Sequence, residues 1–324
     1  MKKMGKICSF LREIRGLACN MPTHFILIER GEIMNKILDF YKQTSPYTDL
    51  GFYRDFANRL PNDIKELARL QRMQIIHPII IWNSLQDGWW DDLTKVPKTS
   101  IVFEDDIFPT AQSMLAELLR RDTNYSVDRK VEDKIHVTCR GEAVLLASIL
   151  KAKGIPTRVR SGFAEYLRHD GIYYDHWITE YYSYEKNRWV LVDADNQWGD
   201  TKIEFDLNDI PRDRFLLGAE AYLSLRNKKM EDKNILYASD PVTIGLPAAI
   251  RALFYDFHSL MNDEIIFDFV PRYVLEKNFN LTEEELKELD ELAHLMLSPD
   301  ENFDELTNIW DTNIKYRIMA GGLN

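Results

Sequence analysis

Apolar positions recur along this chain with two different periods, and the change of period divides it. Ile64, Leu67, Ala68 and Leu70, with Gln71, follow helical spacing from about Asn62 onward, with Asp63 and Glu66 placed to favour the first turn. Residues 34–42 predict a short helix stopped near Ser45-Pro46, and Ala111–Arg121 predicts another. Residues 91–110 mix Pro, Thr and acidic side chains and read as a loop after Gly88-Trp89-Trp90-Asp91-Asp92. The stretch 34–120 is therefore expected to be mostly helical.

The centre of the chain differs. Cys139–Lys153 contains the run AVLLASIL and reads as a buried helix, with Gly154 as a left-handed cap and Pro156 preventing continuation. Residues 157–167 alternate weakly, as a strand does, and Asp170-Gly171 signals a turn. The β-rich runs ITEYYSY and RWVLVDA follow, with a polar turn between them. One helix and then three strands predict an α+β unit with an antiparallel sheet. Beyond residue 200 helices return, over Pro211–Leu225 and Ile244–Asn262. Another opens at Thr282, where Glu285 completes a capping box. The expected division is an N-terminal extension over 1–33, a helical region over 34–120, a core over 121–225 and a helical region over 226–324.

Composition narrows the functional classes. With 45% apolar residues in 324, the chain can build a sizeable core, and three cysteines exclude a disulfide scaffold. Lys and Arg total 41 against 52 Asp and Glu, a net charge of -11, so neither nucleic acid nor a membrane is expected as a partner. Arg12, Glu13 and Arg15 interrupt the N-terminal apolar stretch, which argues against a signal peptide and for a cytoplasmic location. There is no dinucleotide or phosphate-loop motif, so no cofactor is expected.

Cys8 and Cys19 have no orienting context and read as inert thiols. Cys139 differs, because Thr138 can cap the helix and so place the sulfur in its first turn, where free N–H groups favour a thiolate. His176 starts the second strand and Asp193 ends the third. The midpoint between them falls in Tyr184-Glu185, so a hairpin turning there sets imidazole and carboxylate nearly opposite each other. If the helix start packs on this sheet, the three residues form a Cys-His-Asp array. Alternatively His176 is a satisfied core histidine and Asp193 a turn cap.

The run Cys139-Arg140-Gly141-Glu142-Ala143 through Lys153-Gly154-Ile155-Pro156-Thr157-Arg158 resembles the central motif of the transglutaminase-like superfamily. Asp175-His176-Trp177 and Trp189-Val190-Leu191-Val192-Asp193 resemble its histidine and aspartate blocks, in order and spacing. The resemblance covers about residues 120–200 and is closest to bacterial-type members. It implies a papain-like fold, with Cys139 as nucleophile, His176 as base and Asp193 as the orienting acid. The implied activity is thiol-dependent hydrolysis or acyl transfer through a thioester, on a peptide, protein or small amide. The alternatives are a non-catalytic binding module and a protein cross-linking enzyme.

The sequence departs from this pattern in two respects, the first being that Val137 and Thr138 stand before the cysteine where a glycine is often found. Papain-like peptidases place a Gln a few residues before the cysteine to donate to the oxyanion, and Val131–Thr138 contains none. Trp89, Trp90 and Gln112 are candidates for a replacement donor. The acidic run Asp193–Asp200 has its glycine, Gly199, out of register for a calcium loop even though Glu204 falls twelfth, so it reads as a solvated turn and no metal is expected. Arg158 reads either as a partner for an acid under the sheet or as a surface residue. Glu180 reads as an exposed edge charge or, less readily, as a cleft residue.

Overall fold

In the computed structural model the described residues are 23–82, 92–96, 103–195, 203–237, 243–267 and 269–318. The chain divides into two units, residues 1–40 and 41–324. The first helix, α1 (Thr23–Lys42), begins earlier than the pattern from residue 34 suggests and stops before Ser45-Pro46. In the second unit α2 (Arg54–Arg59), α3 (Ile64–Arg72), α4 (Pro78–Trp82) and α5 (Ala111–Arg121) precede the central helix α6 (Cys139–Ala152). Strands β1 (Thr157–Ala164), β2 (Tyr173–Ser183) and β3 (Arg188–Val192) follow. After them come the two-residue strand β4 (Leu216–Leu217), α7 (Gly218–Arg226), the two-residue strand β5 (Ile235–Leu236) and α8 (Leu246–Leu260). The helices α9 (Arg272–Glu276), α10 (Glu283–Met296) and α11 (Phe303–Thr312) complete the described chain.

The architecture is α+β. The sheet has the order β3-β2-β1-β4 with antiparallel neighbours, and β5 joins β2 in parallel. The cysteine-bearing α6 packs on β2 and β1, and α8 packs on β1. Helical extensions flank this core on both sides in sequence. Local signals produce these elements. The Asp63 carboxylate accepts the Glu66 N–H and so caps α3, rather than sitting inside its first turn. Thr110 with Ser113 and Thr282 with Glu285 close capping boxes on α5 and α10. Gly154 ends α6 with φ at +76°, a left-handed value at which a Cβ is strained.

The helix expected from Pro211 instead begins at Gly218. Leu216 and Leu217 are drawn into the sheet opposite Phe163 and Gly162, and only a short 3-10 turn over Arg212–Arg214 precedes them. That crossing is close. A Cβ on Gly162 would run into the Leu216 carbonyl oxygen and come within 2.9 Å of the Leu217 Cα.

The sheet also carries buried charge. Arg158 bonds Glu180 at 2.6 Å and Asp300 at 2.7 Å, and lies 4.0 Å above the Trp189 ring. Arg160 forms two parallel bonds with Asp256, at 2.8 and 2.9 Å, and a third with Glu180 at 2.8 Å. Glu180 is thus a buried bridge between two guanidinium groups and not an exposed edge charge. Burial opposes its ionisation, but Arg158 and Arg160 outweigh burial and lower its pKa to about 2.

Two outcomes are expected. Gly162→Ala should destabilise the fold by about 1–3 kcal/mol, seen as a lower urea midpoint, because the obstruction is backbone. The folded pKa of Glu180 lies below its ordinary value of 4.5. Its contribution to stability is therefore present above that value and is lost as pH falls toward about 2. Urea titrations across this window should show the loss, and the pH dependence should flatten in Glu180→Gln.

Candidate active site

Cys139 is the first residue of α6 and is only 5% exposed. Thr138 occupies the cap position but does not cap the helix. Its N–H and hydroxyl instead donate to Asp105 Oδ1, at 2.9 and 2.7 Å, which fixes the segment entering the helix. The next segment back is anchored by a parallel bridge between Ile75 and Ile135, with the Ile76 N–H donating to the Ile135 carbonyl at 2.9 Å.

His176 on β2 and Asp193 just past β3 meet directly, with Nε2 2.9 Å from Oδ2. They do so by a different register from the one expected. Thr179 pairs with Val192, so continuing the ladder would put Asp195 opposite His176. Asp193 is the diagonal neighbour, and a two-residue offset keeps both groups on one face. Tyr166 Oη donates to the same Asp193 oxygen at 2.9 Å, and the Asp195 N–H donates to Oδ1 at 3.0 Å. Burial raises the Asp193 pKa, but His176 and Tyr166 outweigh burial and hold the carboxyl below its ordinary value.

Because Nε2 is engaged, Nδ1 is the nitrogen available to the thiol, and it makes no hydrogen bond among the described residues. The ring and the thiol lie close enough for each to shift the other's ionisation. Burial lowers the His176 pKa, but Asp193 and the thiol raise it more, so the ring is a stronger base than free imidazole. Burial pushes the Cys139 thiol up to about 11, against the pull of His176. The helix start alone suggests a stabilised thiolate, but in this closed pocket desolvation outweighs it. The structure therefore brings together all three residues singled out from the sequence.

It also adds two. His77, Cys139 and Asp195 each offer an atom within 4.8 Å of the other two, and all are buried. Asp195 belongs to the run that reads as a solvated turn, yet it is 1% exposed. Burial pushes its carboxyl up to about 7, with the Asp193 charge adding to the rise and His176 and Arg72 opposing it. Arg72 on α3 holds this loop by donating from Nε to the Ala194 carbonyl at 2.9 Å. His77 Nε2 is 3.8 Å from Asp195 Oδ2, while Nδ1 accepts the Ile79 N–H at 3.2 Å. Burial lowers its pKa to about 3.

The donor types of this trio would suit a soft divalent cation. The tautomer does not. A ligating histidine donates through its second ring nitrogen, whereas that of His77 accepts, which leaves the proton on the nitrogen facing Asp195. No sequence pattern marks His77, which sits beside Pro78 in the apolar run HPIIIW. Gln112 packs its amide against the Gly51 backbone. Trp89, Trp90, Gly199 and the other residues of the acidic run beyond Asp195 lie outside the described residues, as do Cys8 and Cys19, whereas Glu204 lines a cavity beside Tyr166. No helix among the described residues is long and apolar enough to cross a membrane.

A buried cysteine at a helix start, with histidine and aspartate beside it, is the arrangement a cysteine nucleophile requires. Residues 117–194 match the profile of the Transglutaminase-like superfamily, so the similarity lies in the segment that carries α6, the three long strands and Asp193. No curated protein matches the chain. A solved structure of a candidate cysteine protease from Cytophaga hutchinsonii is similar at 15% identity and a TM-score of 0.29, over 62% of this chain and 47% of the other. This chain thus aligns with about half the length of that protein, and at that score the likeness adds nothing to the assignment.

Replacing Tyr166 by Phe should remove one of the donors to the Asp193 charge. The expected cost is about 1.5–3 kcal/mol by urea denaturation.

Proposed function

We propose that the protein is a thiol-dependent amide hydrolase or acyltransferase that works through a thioester on Cys139, with a peptide or related amide as substrate. The observation that carries this reading is the His176–Asp193 pair at 2.9 Å with Nδ1 left for the thiol. Asp193 fixes the tautomer in which Nε2 bears the proton and Nδ1 a lone pair.

The chemistry follows from that arrangement. His176 Nδ1 takes the thiol proton as the sulfur attacks the carbonyl carbon, and the carbonyl electrons move to oxygen. Asp193 stabilises the imidazolium. When the tetrahedral intermediate collapses, the C–N bond breaks and His176 returns the proton to the leaving amine. The thioester is released by water, giving an acid, or by an acceptor amine, giving a new amide. In either case His176 removes the nucleophile's proton and the sulfur leaves. The Cys139 N–H, at the start of α6 where no intrahelical acceptor exists, is able to donate to the developing charge.

The test uses p-nitrophenyl acetate with the full chain. Mass spectrometry should find an acetyl group on Cys139, and none at that position in Cys139→Ala. His176→Gln should slow acylation by about 10²–10⁴-fold. Competing water with an amine for the acyl-enzyme then separates hydrolysis from transfer. Absence of any acyl adduct on Cys139 would refute the reading.

A further inference from the structure

We infer that His77 supplies the second hydrogen bond to the oxyanion, in the role for which the chain has no glutamine before its cysteine. This rests on the acyl-transfer reading above. A tetrahedral intermediate on Cys139 places negative charge on an oxygen two bonds from the sulfur, and two donors are needed to hold it well. The segment before Cys139 has no side chain of the expected kind.

His77 reaches the site from elsewhere in the chain. The bridge between Ile75–Ile76 and Ile135 lays residues 74–77 beside the strand-like approach to α6. One ring nitrogen lies within 4.8 Å of both the Cys139 sulfur and an Asp195 oxygen. An oxyanion donor sits about 2.7–3.1 Å from its oxygen, so a group at that distance from the sulfur is within range of an oxygen bonded through carbon to it.

The direction of the hydrogen bond is settled by the other nitrogen. Nδ1 accepts the Ile79 N–H, so in the neutral ring the proton is on Nε2. That nitrogen is 3.8 Å from Asp195 Oδ2, an oxygen of the same buried pocket. Buried and neutral, His77 stabilises the developing charge without competing with His176 for the thiol proton. The two histidines beside one sulfur thus differ in kind. His176 offers a lone pair to the cysteine, and His77 offers an N–H in the same pocket.

The test compares two reactions of the same sulfur in the full chain. Acylation by p-nitrophenyl acetate passes through an oxyanion, whereas alkylation by iodoacetamide is displacement at a saturated carbon and does not. His77→Leu is expected to slow acylation by about 10²–10³-fold, the usual loss for one oxyanion donor, while Cys139 alkylation stays within a few-fold of wild type. His77→Gln, which keeps an N–H donor, should recover most of the acylation rate. His176→Gln serves as the contrast, because loss of the base should slow both reactions. Should His77→Leu fail to fold by circular dichroism, His77→Phe keeps the shape of the ring without its donor. A His77→Leu or His77→Phe variant that acylates as fast as wild type overturns the assignment, as does one in which alkylation falls in step with acylation. A wild-type chain that is alkylated at Cys139 yet never acylated overturns the acyl-transfer reading itself, and this assignment with it.

Discussion

The site depends on keeping one carboxylate charged where there is no water. Asp193 is fully buried, and an isolated ion there would be neutralised by its own desolvation cost. Three donors prevent this: Tyr166 Oη, His176 Nε2 and the Asp195 N–H. Each comes from a different part of the core, so the charge survives only when the turn after β1, strand β2 and the loop after β3 are all in place. The orientation of His176 follows from that charge, and the basicity of the face it turns to Cys139 follows from the orientation.

The helical region before the core is part of this arrangement. Arg72 on α3 fixes the Ala194 carbonyl between the two aspartates, and Gln71 donates to the Glu142 carbonyl at 2.8 Å on α6. His77 enters from the same region. On the other side of the sequence, Asp256 on α8 and Asp300 before α11 neutralise Arg160 and Arg158 under the sheet. Removing one member of such a set leaves a buried charge uncompensated, which is more costly than the set is stabilising. The flanking helices therefore complete the core electrostatically as well as by packing.

What is legible in the sequence is local. Ala111–Arg121 and the Thr282 capping box depend on residues three or four apart, and both appear where the pattern puts them. The α6 helix is marked by its apolar run and by Gly154 and Pro156. The start of α7 is not legible, because Leu216 and Leu217 are strand residues only by virtue of β1 passing beside them. Cys139 can be named from its place at a helix start, and His176 and Asp193 from a hairpin between them, though the ladder sets that pair diagonally rather than opposite. His77 and Asp195 cannot, since a chain pairing between Ile75 and Ile135 and a buried loop bring them in from positions that no short-range spacing connects. Glu180 is hidden for the same reason, as its partners include Arg160, a diagonal neighbour across the sheet.

The seclusion of Cys139 has a chemical consequence of its own. Peroxides and other electrophilic oxidants act on exposed thiolates, whereas this sulfur is buried and its burial opposes ionisation. An electrophile must enter the pocket before it meets the sulfur beside His176, so access governs its reactivity. Seclusion of this kind slows conversion to sulfenic acid relative to an open, low-pKa cysteine.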